Sequence, residues 1–199
     1  MKKLLILFIV LFFLGGCAKN IEPYEVIEND FDLDEAMIIL EKTWEPIKAM
    51  TDSKFVTKPR VEIPSREEFF NIYKFTYMND LIKNDIYESL VVTDSNGKEV
   101  KDPNGIILFD KGEYEVYIPT IYDEGVIIER AYLKESKYKE EYSYLDKIEL
   151  IIEEKSNETI TNYASGFYRT NIFRKNENDE WVLTETKGVM LYSWERGKK

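Results

Sequence analysis

The sequence predicts an α+β fold in which about three N-terminal helices pack on a curved antiparallel sheet of about six strands. Apolar residues between positions 32 and 90 recur at helical spacing. After position 106 the chain alternates with a period of two and is rich in β-branched and aromatic residues. Short turns join these later segments, which favours antiparallel hairpins because parallel strands need long crossover connections.

The chain begins with the features of a secretory signal peptide at residues 1–16. Lys2 and Lys3 give it a positive start, and residues 4–14 form an unbroken apolar run that ends at two glycines. A transmembrane helix needs about 20 apolar residues, so this run is too short for a retained membrane span. The pattern predicts an export signal that is removed from the mature protein.

Residues 14–17, Leu-Gly-Gly-Cys, follow the apolar run and resemble the lipobox of bacterial lipoproteins. The resemblance implies cleavage before Cys17 and attachment of lipid, such as palmitate, to its thiol. A buried structural cysteine is the alternative interpretation. We therefore expect a lipoprotein held at the cell membrane on the extracytoplasmic face of the envelope. Residues 17–30 would form a lipidated tether and residues 31–195 a single α+β domain.

The first predicted helix begins after Asp32, which is placed to cap it, with Glu35 at the capping-box position. Pro46 lies near the end of this helical pattern and is expected to kink or end the helix, because proline lacks the amide hydrogen that the helix needs. A second helix is predicted after Ser65, with Glu68 completing a capping box, and a third after Asn79.

The second half of the chain supplies the predicted strands. They cover residues 106–109, 114–119, 126–135, 148–155, 159–174 and 181–190. Turn signals such as Asn96-Gly97 and Asn104-Gly105 punctuate this half of the chain. Gly166 falls inside a long predicted strand, where we expect a bulge or bend that lets the sheet curl.

The composition excludes several classes of function. Asp and Glu number 38 against 27 Lys and Arg, and the net charge of −11 becomes more negative when the two lysines of the signal are removed. Such a chain repels nucleic acids and anionic lipids, and it favours a basic protein or a cation as partner. The chain has no histidine, and its one cysteine is Cys17. These absences remove histidine- and thiol-based catalysis and most zinc and iron sites, while catalysis by carboxylates or by serine and lysine stays open. Because no motif indicates such chemistry, we predict no catalytic residues, no cofactor and no metal site.

Three local motifs are candidates for contact with other molecules. Tyr122, Asp123 and Glu124 lie in a predicted loop, and we expect them to form the partner-binding site, although a plain turn is the alternative. Residues 94–102 contain oxygen ligands, but their spacing does not match a calcium loop. Residues 140–144 alternate acids and aromatics, as a sugar-stacking surface or an exposed strand would.

Two motifs carry a family resemblance. PSREEFF at residues 64–70 opens a helix, and GEYEVYIP at residues 112–119 precedes a closing strand around Trp181. Behind a lipobox and in an acidic domain, this layout resembles the small exported inhibitors of cell-wall DL-endopeptidases of Gram-positive bacteria. The resemblance covers most of residues 60–190. It implies a cone-shaped fold of the nuclear-transport-factor-two-like or cystatin-like kind, and a non-catalytic protein whose acidic surface blocks a peptidoglycan hydrolase.

Two functions follow as hypotheses. The first is a binding or inhibitory module for a cell-envelope protein with a basic surface. The second is a cone-shaped domain that binds a small molecule or an ion, with hydrolytic chemistry limited to carboxylates. An open pocket lined by Tyr, Glu and Arg on the inner face of the sheet would favour the second, and large apolar side chains there would favour the first.

Overall fold

The computed structural model describes residues 21–52, 56–109, 114–157 and 166–195. The predicted signal peptide at residues 1–16, the lipidation site Cys17 and the first part of the predicted strand at residues 159–174 lie outside these ranges. The described chain is α+β, with an antiparallel sheet of five strands and a second sheet of two.

Three α-helices occur where the sequence predicts them. They are α1 (Leu33–Met50), α2 (Arg66–Tyr73) and α3 (Asp80–Leu90). The predicted caps are in place. The Asp32 side chain accepts a hydrogen bond from Glu35 N at 2.9 Å, Ser65 Oγ accepts from Glu68 N at 3.1 Å, and Asn79 Oδ1 accepts from Ile82 N at 3.0 Å. Each bond satisfies an amide in the first helical turn that has no partner within the helix.

Pro46 does not end α1, which continues to Met50. A proline in a helix deprives the carbonyl four residues earlier of its partner, and here that residue is Lys42 on the exposed side of the helix. The turn after Pro46 places Ile47 and Met50 in the core, where both are fully buried. The apolar burial of this last turn offsets the missing hydrogen bond.

The strands are β1 (Glu25–Asp30), β2 (Tyr114–Tyr117), β3 (Val126–Lys137), β4 (Lys147–Ser156), β5 (Tyr168–Lys175), β6 (Trp181–Gly188) and β7 (Tyr192–Glu195). The five-stranded sheet has the order β1-β3-β4-β5-β6, and β2 pairs with β7 in the second sheet. A register irregularity lies between Ile172 and Phe173 of β5, and not at the expected Gly166, which precedes the strand in a turn.

Two segments differ from their predicted structure. Residues 25–30, expected to be part of the tether, form β1, an edge strand with five of its six residues exposed. A half-buried strand is recognised in a sequence by apolar and polar residues that alternate. Only one position of β1 is even half-buried, so the sequence carries no such alternation there. Residues 106–109, expected to be a strand, contribute an isolated bridge between Lys101 and Ile107.

The chain divides into two compact units. Of the described residues, the smaller contains 21–26 and 136–147, and the larger contains the described parts of 27–135 and 148–195. In the smaller unit, Tyr24 N donates to Lys137 O at 2.9 Å, and a 3₁₀ helix (Glu140–Leu145) leaves Tyr144 75% exposed. The prediction of a single domain at residues 31–195 stays a prediction.

The core of the larger unit is shared by all three helices and the inner face of the sheet. Its fully buried members include Leu40, Trp44, Phe69, Leu150 and Phe173. Phe69 lies at the centre of an aromatic cluster, with the rings of Phe70, Tyr73, Phe75, Tyr87 and Phe109 at centroid distances between 5.0 and 5.7 Å. These rings join α2 and α3 by apolar contact, and Arg66 of α2 adds a hydrogen bond to Asn84 of α3 at 2.7 Å.

The segment before α3 is attached to the middle of β6. Asn79 N donates to Leu183 O at 2.9 Å, and Leu183 N donates to Tyr77 O at 2.9 Å. The Asn79 side chain, which caps α3, also donates to Thr184 O at 2.9 Å, across 105 positions of sequence. One asparagine therefore holds a helix end and a strand together.

Candidate functional site

The predicted contact loop lies between β2 and β3, and Tyr122 is held against α1. Its hydroxyl donates to Glu41 O at 2.9 Å, and Lys48 Nζ lies 3.8 Å from the centroid of its ring. Partial burial raises the pKa of Tyr122, and the charges of Glu41 and Glu45 raise it further. Tyr122 thus lies among charges of both signs on the C-terminal half of α1, with Glu41 and Glu45 near its hydroxyl and Lys48 over its ring.

Asp123 shapes the loop. Its carboxylate accepts hydrogen bonds from Thr120 N at 2.6 Å and Thr120 Oγ1 at 3.0 Å, and also from the hydroxyl of Tyr117. The amide of Asp123 donates to Thr120 O at 3.0 Å, which closes the turn. This is the conformational role that the alternative interpretation assigned to the motif. Glu124 is the exposed member of the predicted trio, and so it is the one whose carboxylate is open to a partner.

A buried polar cluster lies behind the loop and was not predicted. It consists of Trp44 from α1, Glu154 from β4, and Arg169 and Asn171 from β5. Arg169 Nη2 and Nε donate to Glu154 Oε2 at 2.8 and 3.0 Å, and Asn171 Nδ2 donates to the same oxygen at 2.5 Å. The side chains of Glu154 and Arg169 are 0% exposed. The guanidinium carbon of Arg169 lies 4.0 Å from the ring centroid of Trp44, in a cation–π contact.

Four atoms of the buried polar cluster have no hydrogen-bond partner among the described residues. They are Trp44 Nε1, Glu154 Oε1, Arg169 Nη1 and Asn171 Oδ1. Tyr117 lies beside the cluster. Burial and the Asp123 carboxylate raise the pKa of Tyr117, and the positive charge of Arg169 partly opposes them. Tyr, Glu and Arg therefore converge at one end of the core, but the Glu154–Arg169 pair is closed to solvent.

The register of β4 and β5 explains why these polar residues face inward. Glu154 pairs with Arg169, and Ile152 with Asn171. Alternation then points Glu154 the same way as Ile152 and the core residue Leu150. A signal did exist in the sequence, since Glu154 falls at the inward position of a strand that otherwise alternates apolar residues inward. Its partner stayed hidden because the hairpin register is not readable from the sequence.

The oxygen-rich stretch at residues 94–102 contains two turns, and each is closed by a single aspartate, Asp94 or Asp102. Asp94 Oδ1 accepts from Asn96 N at 2.8 Å and Lys98 N at 2.9 Å, and the backbone amides lower the pKa of its carboxyl. Asp102 Oδ1 accepts from Asn104 N and Ile106 N, both at 2.8 Å. Within the described ranges, no group of three or more Asp, Glu, His or Cys side chains is placed to hold a metal ion.

The acidic aromatic segment at residues 140–144 forms the exposed 3₁₀ helix of the smaller unit and has no buried residue. Over the part of the chain that the structure describes, no helix combines the length and the apolar character needed to span a membrane. Comparison of the chain with protein-family models, curated proteins and solved structures found no significant match.

Proposed function

We propose that this protein is a lipid-anchored, extracytoplasmic binding module that restrains a basic cell-envelope protein, specifically a peptidoglycan hydrolase, and has no catalytic activity of its own. The anchor is supported by the apolar run at residues 4–14 and the Leu-Gly-Gly-Cys motif that ends at Cys17. The hydrolase as target is supported by the resemblance in layout to exported endopeptidase inhibitors.

The binding role is supported by the difference between the core, whose ion pair is buried, and the surface, whose charged groups are exposed. The ion pair of the core, Glu154 with Arg169, is closed to solvent and does not form an open active site. The surface is open and carries the negative charge of a chain with a net charge of −11, and Glu124 presents an exposed carboxylate on the predicted contact loop. A negative surface accelerates association with a basic groove through electrostatic steering.

The anchor is tested by replacing Cys17 with serine and fractionating cells. The wild-type chain should fractionate with membranes, and Cys17→Ser should be released or accumulate as an unprocessed precursor, because the oxygen of serine is not a site for thioether lipidation. Membrane retention of a correctly processed Cys17→Ser protein would refute the lipid anchor.

The partner is tested with the full lipidated chain in detergent micelles, added to a purified DL-endopeptidase that digests peptidoglycan. The wild-type chain should slow digestion in proportion to its concentration. Glu124→Lys should weaken this inhibition, mainly through slower association, whereas Glu62→Lys, an equal charge change at another exposed position, should not. Undiminished digestion at saturating wild-type protein would refute the hydrolase as target.

A second function, the binding of a small polar molecule inside the domain, is favoured by the four polar atoms of the buried polar cluster without described partners. Native mass spectrometry of the full chain tests it. A bound mass that disappears in Asn171→Leu would support internal binding, and the unliganded mass in both proteins would refute it.

A further inference from the structure

We propose that a groove between the N-terminal half of α1 and the β5–β6 turn is a docking site for a single lysine or arginine side chain of a protein partner. This inference rests on the proposed function, to which it adds a contact surface and the chemistry of the group bound there. The groove has a volume of about 230 Å³ and lies within the larger unit.

The floor of the groove is apolar and partly open. Ile38 of α1 is 51% exposed, and half-buried Tyr77 and Trp181 line the groove beside it. Lysine and arginine have long hydrocarbon stems that pack on such surfaces while their charged ends stay near water. The floor therefore suits the stem of a basic side chain.

The rim of the groove is negative. Glu35, Asp179 and Glu180 contribute carboxylates, and Lys42 is the one cation among the described lining residues. Within the described part of the chain, neither Glu35 nor Glu180 forms an ion pair, whereas Asp179 pairs with Lys175. Glu180 Oε2 accepts a hydrogen bond from Asn176 Nδ2 at 3.2 Å, so the Glu35 carboxylate and the other oxygen of Glu180 are the acceptors offered to the charged end of an incoming side chain.

The protein already places one of its own lysines on these groups. Lys175 Nζ lies 2.8 Å from Asp179 Oδ1 and 5.3 Å from the ring centroid of Trp181. Lys175 therefore neutralises Asp179, and its position shows that an ammonium group can lie beside both a carboxylate of this turn and the Trp181 ring. An incoming cation would pair with Glu35 and Glu180 beside the same ring.

The turn that carries the carboxylates is held in one conformation before any partner arrives. Asn176 Oδ1 accepts from Asn178 N at 2.9 Å and from Glu180 N at 3.0 Å, and Asp179 N donates to Asn176 O at 3.0 Å. Because these bonds order the turn in the free protein, little conformational entropy is lost there on binding.

The size and charge of the groove select the occupant. A volume of about 230 Å³ is below the roughly 300 Å³ at which pockets for drug-sized molecules begin, so the groove suits one side chain. Anionic lipid is disfavoured by the carboxylates of the rim. The described carboxylates also form no group suited to a metal ion. A single basic side chain of a protein partner fits the volume of the groove and carries the charge that the rim attracts.

The test uses the full chain in detergent micelles and two capped peptides, Gly-Leu-Arg-Leu-Gly and the same peptide with citrulline, which has nearly the shape of arginine without its charge. Binding is followed by the NMR signal of the Trp181 indole, identified by its loss in Trp181→Phe. The arginine peptide should shift this signal in a saturable way, and the citrulline peptide should bind at least about three-fold more weakly.

Variants separate the groove from the general acidity of the surface. Glu35→Gln with Glu180→Gln should weaken the arginine peptide by roughly three- to ten-fold. Glu177→Gln lies on the same turn but does not line the groove, so it should leave binding unchanged. Equal binding of both peptides, or an equal loss in Glu177→Gln, would overturn the proposal.

Failure of the groove and failure of the proposed function give different results. If the wild-type chain inhibits the hydrolase while the arginine peptide does not bind, the groove is refuted and the binding function stands. If the arginine peptide binds as expected but the hydrolase is unaffected, the groove is supported and the hydrolase target is refuted.

Discussion

At the scale of single residues, Tyr117 shows how one hydroxyl connects the predicted loop to the interior. It is 1% exposed, and its hydroxyl donates to the carboxylate of Asp123. Burial raises its pKa, and the nearby negative charge of Asp123 adds to the effect. The folded protein therefore keeps Tyr117 protonated at pH values where the unfolded chain releases the proton.

This difference predicts a loss of stability in alkali. Tyrosine in an unfolded chain ionises near pH 10. Since the folded-state pKa of Tyr117 is higher, its contribution is complete below that pH and decreases as pH rises above it, by up to about 1.4 kcal/mol per pH unit. Urea unfolding of the full chain between pH 9 and 11 should show this decrease, and Tyr117→Phe should make it shallower.

Tyr144→Phe is the matched control, because Tyr144 is 75% exposed. It should leave the pH dependence of the unfolding free energy unchanged. If Tyr117→Phe and Tyr144→Phe give the same slope as the wild-type chain, Tyr117 ionises in the folded protein as it does in the unfolded one.

Local contacts are also the part of the structure that was most predictable from sequence. Asp32, Ser65 and Asn79 cap helices through bonds to amides three positions away, so the residue type and its spacing reveal the bond. Glu154 and Arg169 are 15 positions apart, and their pairing depends on a hairpin register that the sequence does not display. Asp123 lies in the predicted loop, but its carboxylate bonds Thr120 and closes the turn instead of facing solvent as a contact residue would.

At the scale of elements, the attachment of α3 to β6 predicts that two similar helix caps contribute unequally to the unfolding free energy. Ser65→Ala removes one cap bond and should reduce the unfolding free energy by about 1 kcal/mol. Asn79→Ala removes a cap bond and also the bond to Thr184, so its loss should be about 2 kcal/mol. Urea unfolding of both variants measures the difference.

Asn79→Asp separates the two contributions. The carboxylate keeps the acceptor for Ile82 N and lacks the donor for Thr184 O, so its stability should fall between those of the wild-type chain and Asn79→Ala. A loss in Asn79→Ala no larger than that in Ser65→Ala would mean that the bond to β6 contributes nothing measurable.

Two strands were not predicted from the sequence. β1 is an edge strand without a buried alternating face, and β7 (Tyr192–Glu195) lies beyond the end of the predicted strand at residues 181–190. β6 ends at Gly188, with φ +94°, where a Cβ atom would lie 2.6 Å from Tyr168 O. Glycine is needed there because no larger residue fits that backbone approach.

At the scale of the whole molecule, the buried Glu154–Arg169 pair predicts that a second substitution restores stability that the first one removes. Arg169→Met leaves Glu154 buried without its partner and should reduce the unfolding free energy by about 3 to 5 kcal/mol. Glu154→Leu combined with Arg169→Met removes both charges and should restore much of the loss. The urea midpoints of unfolding of the single and double variants measure this restoration. A double variant no more stable than Arg169→Met would contradict the prediction.

The contact of Asn79 with Thr184 also constrains the order in which the protein folds. A chain that emerges from its N-terminus, through a ribosome or an export channel, presents α3 long before β6, because the two partners are separated by 105 positions. Non-local contacts of this kind slow folding, since a long loop must close before they form. Until β6 follows, α3 can pack on α2 through the Phe69–Tyr87 contact but lacks its contacts with β6, and the apolar surface left exposed at that stage favours aggregation and proteolysis.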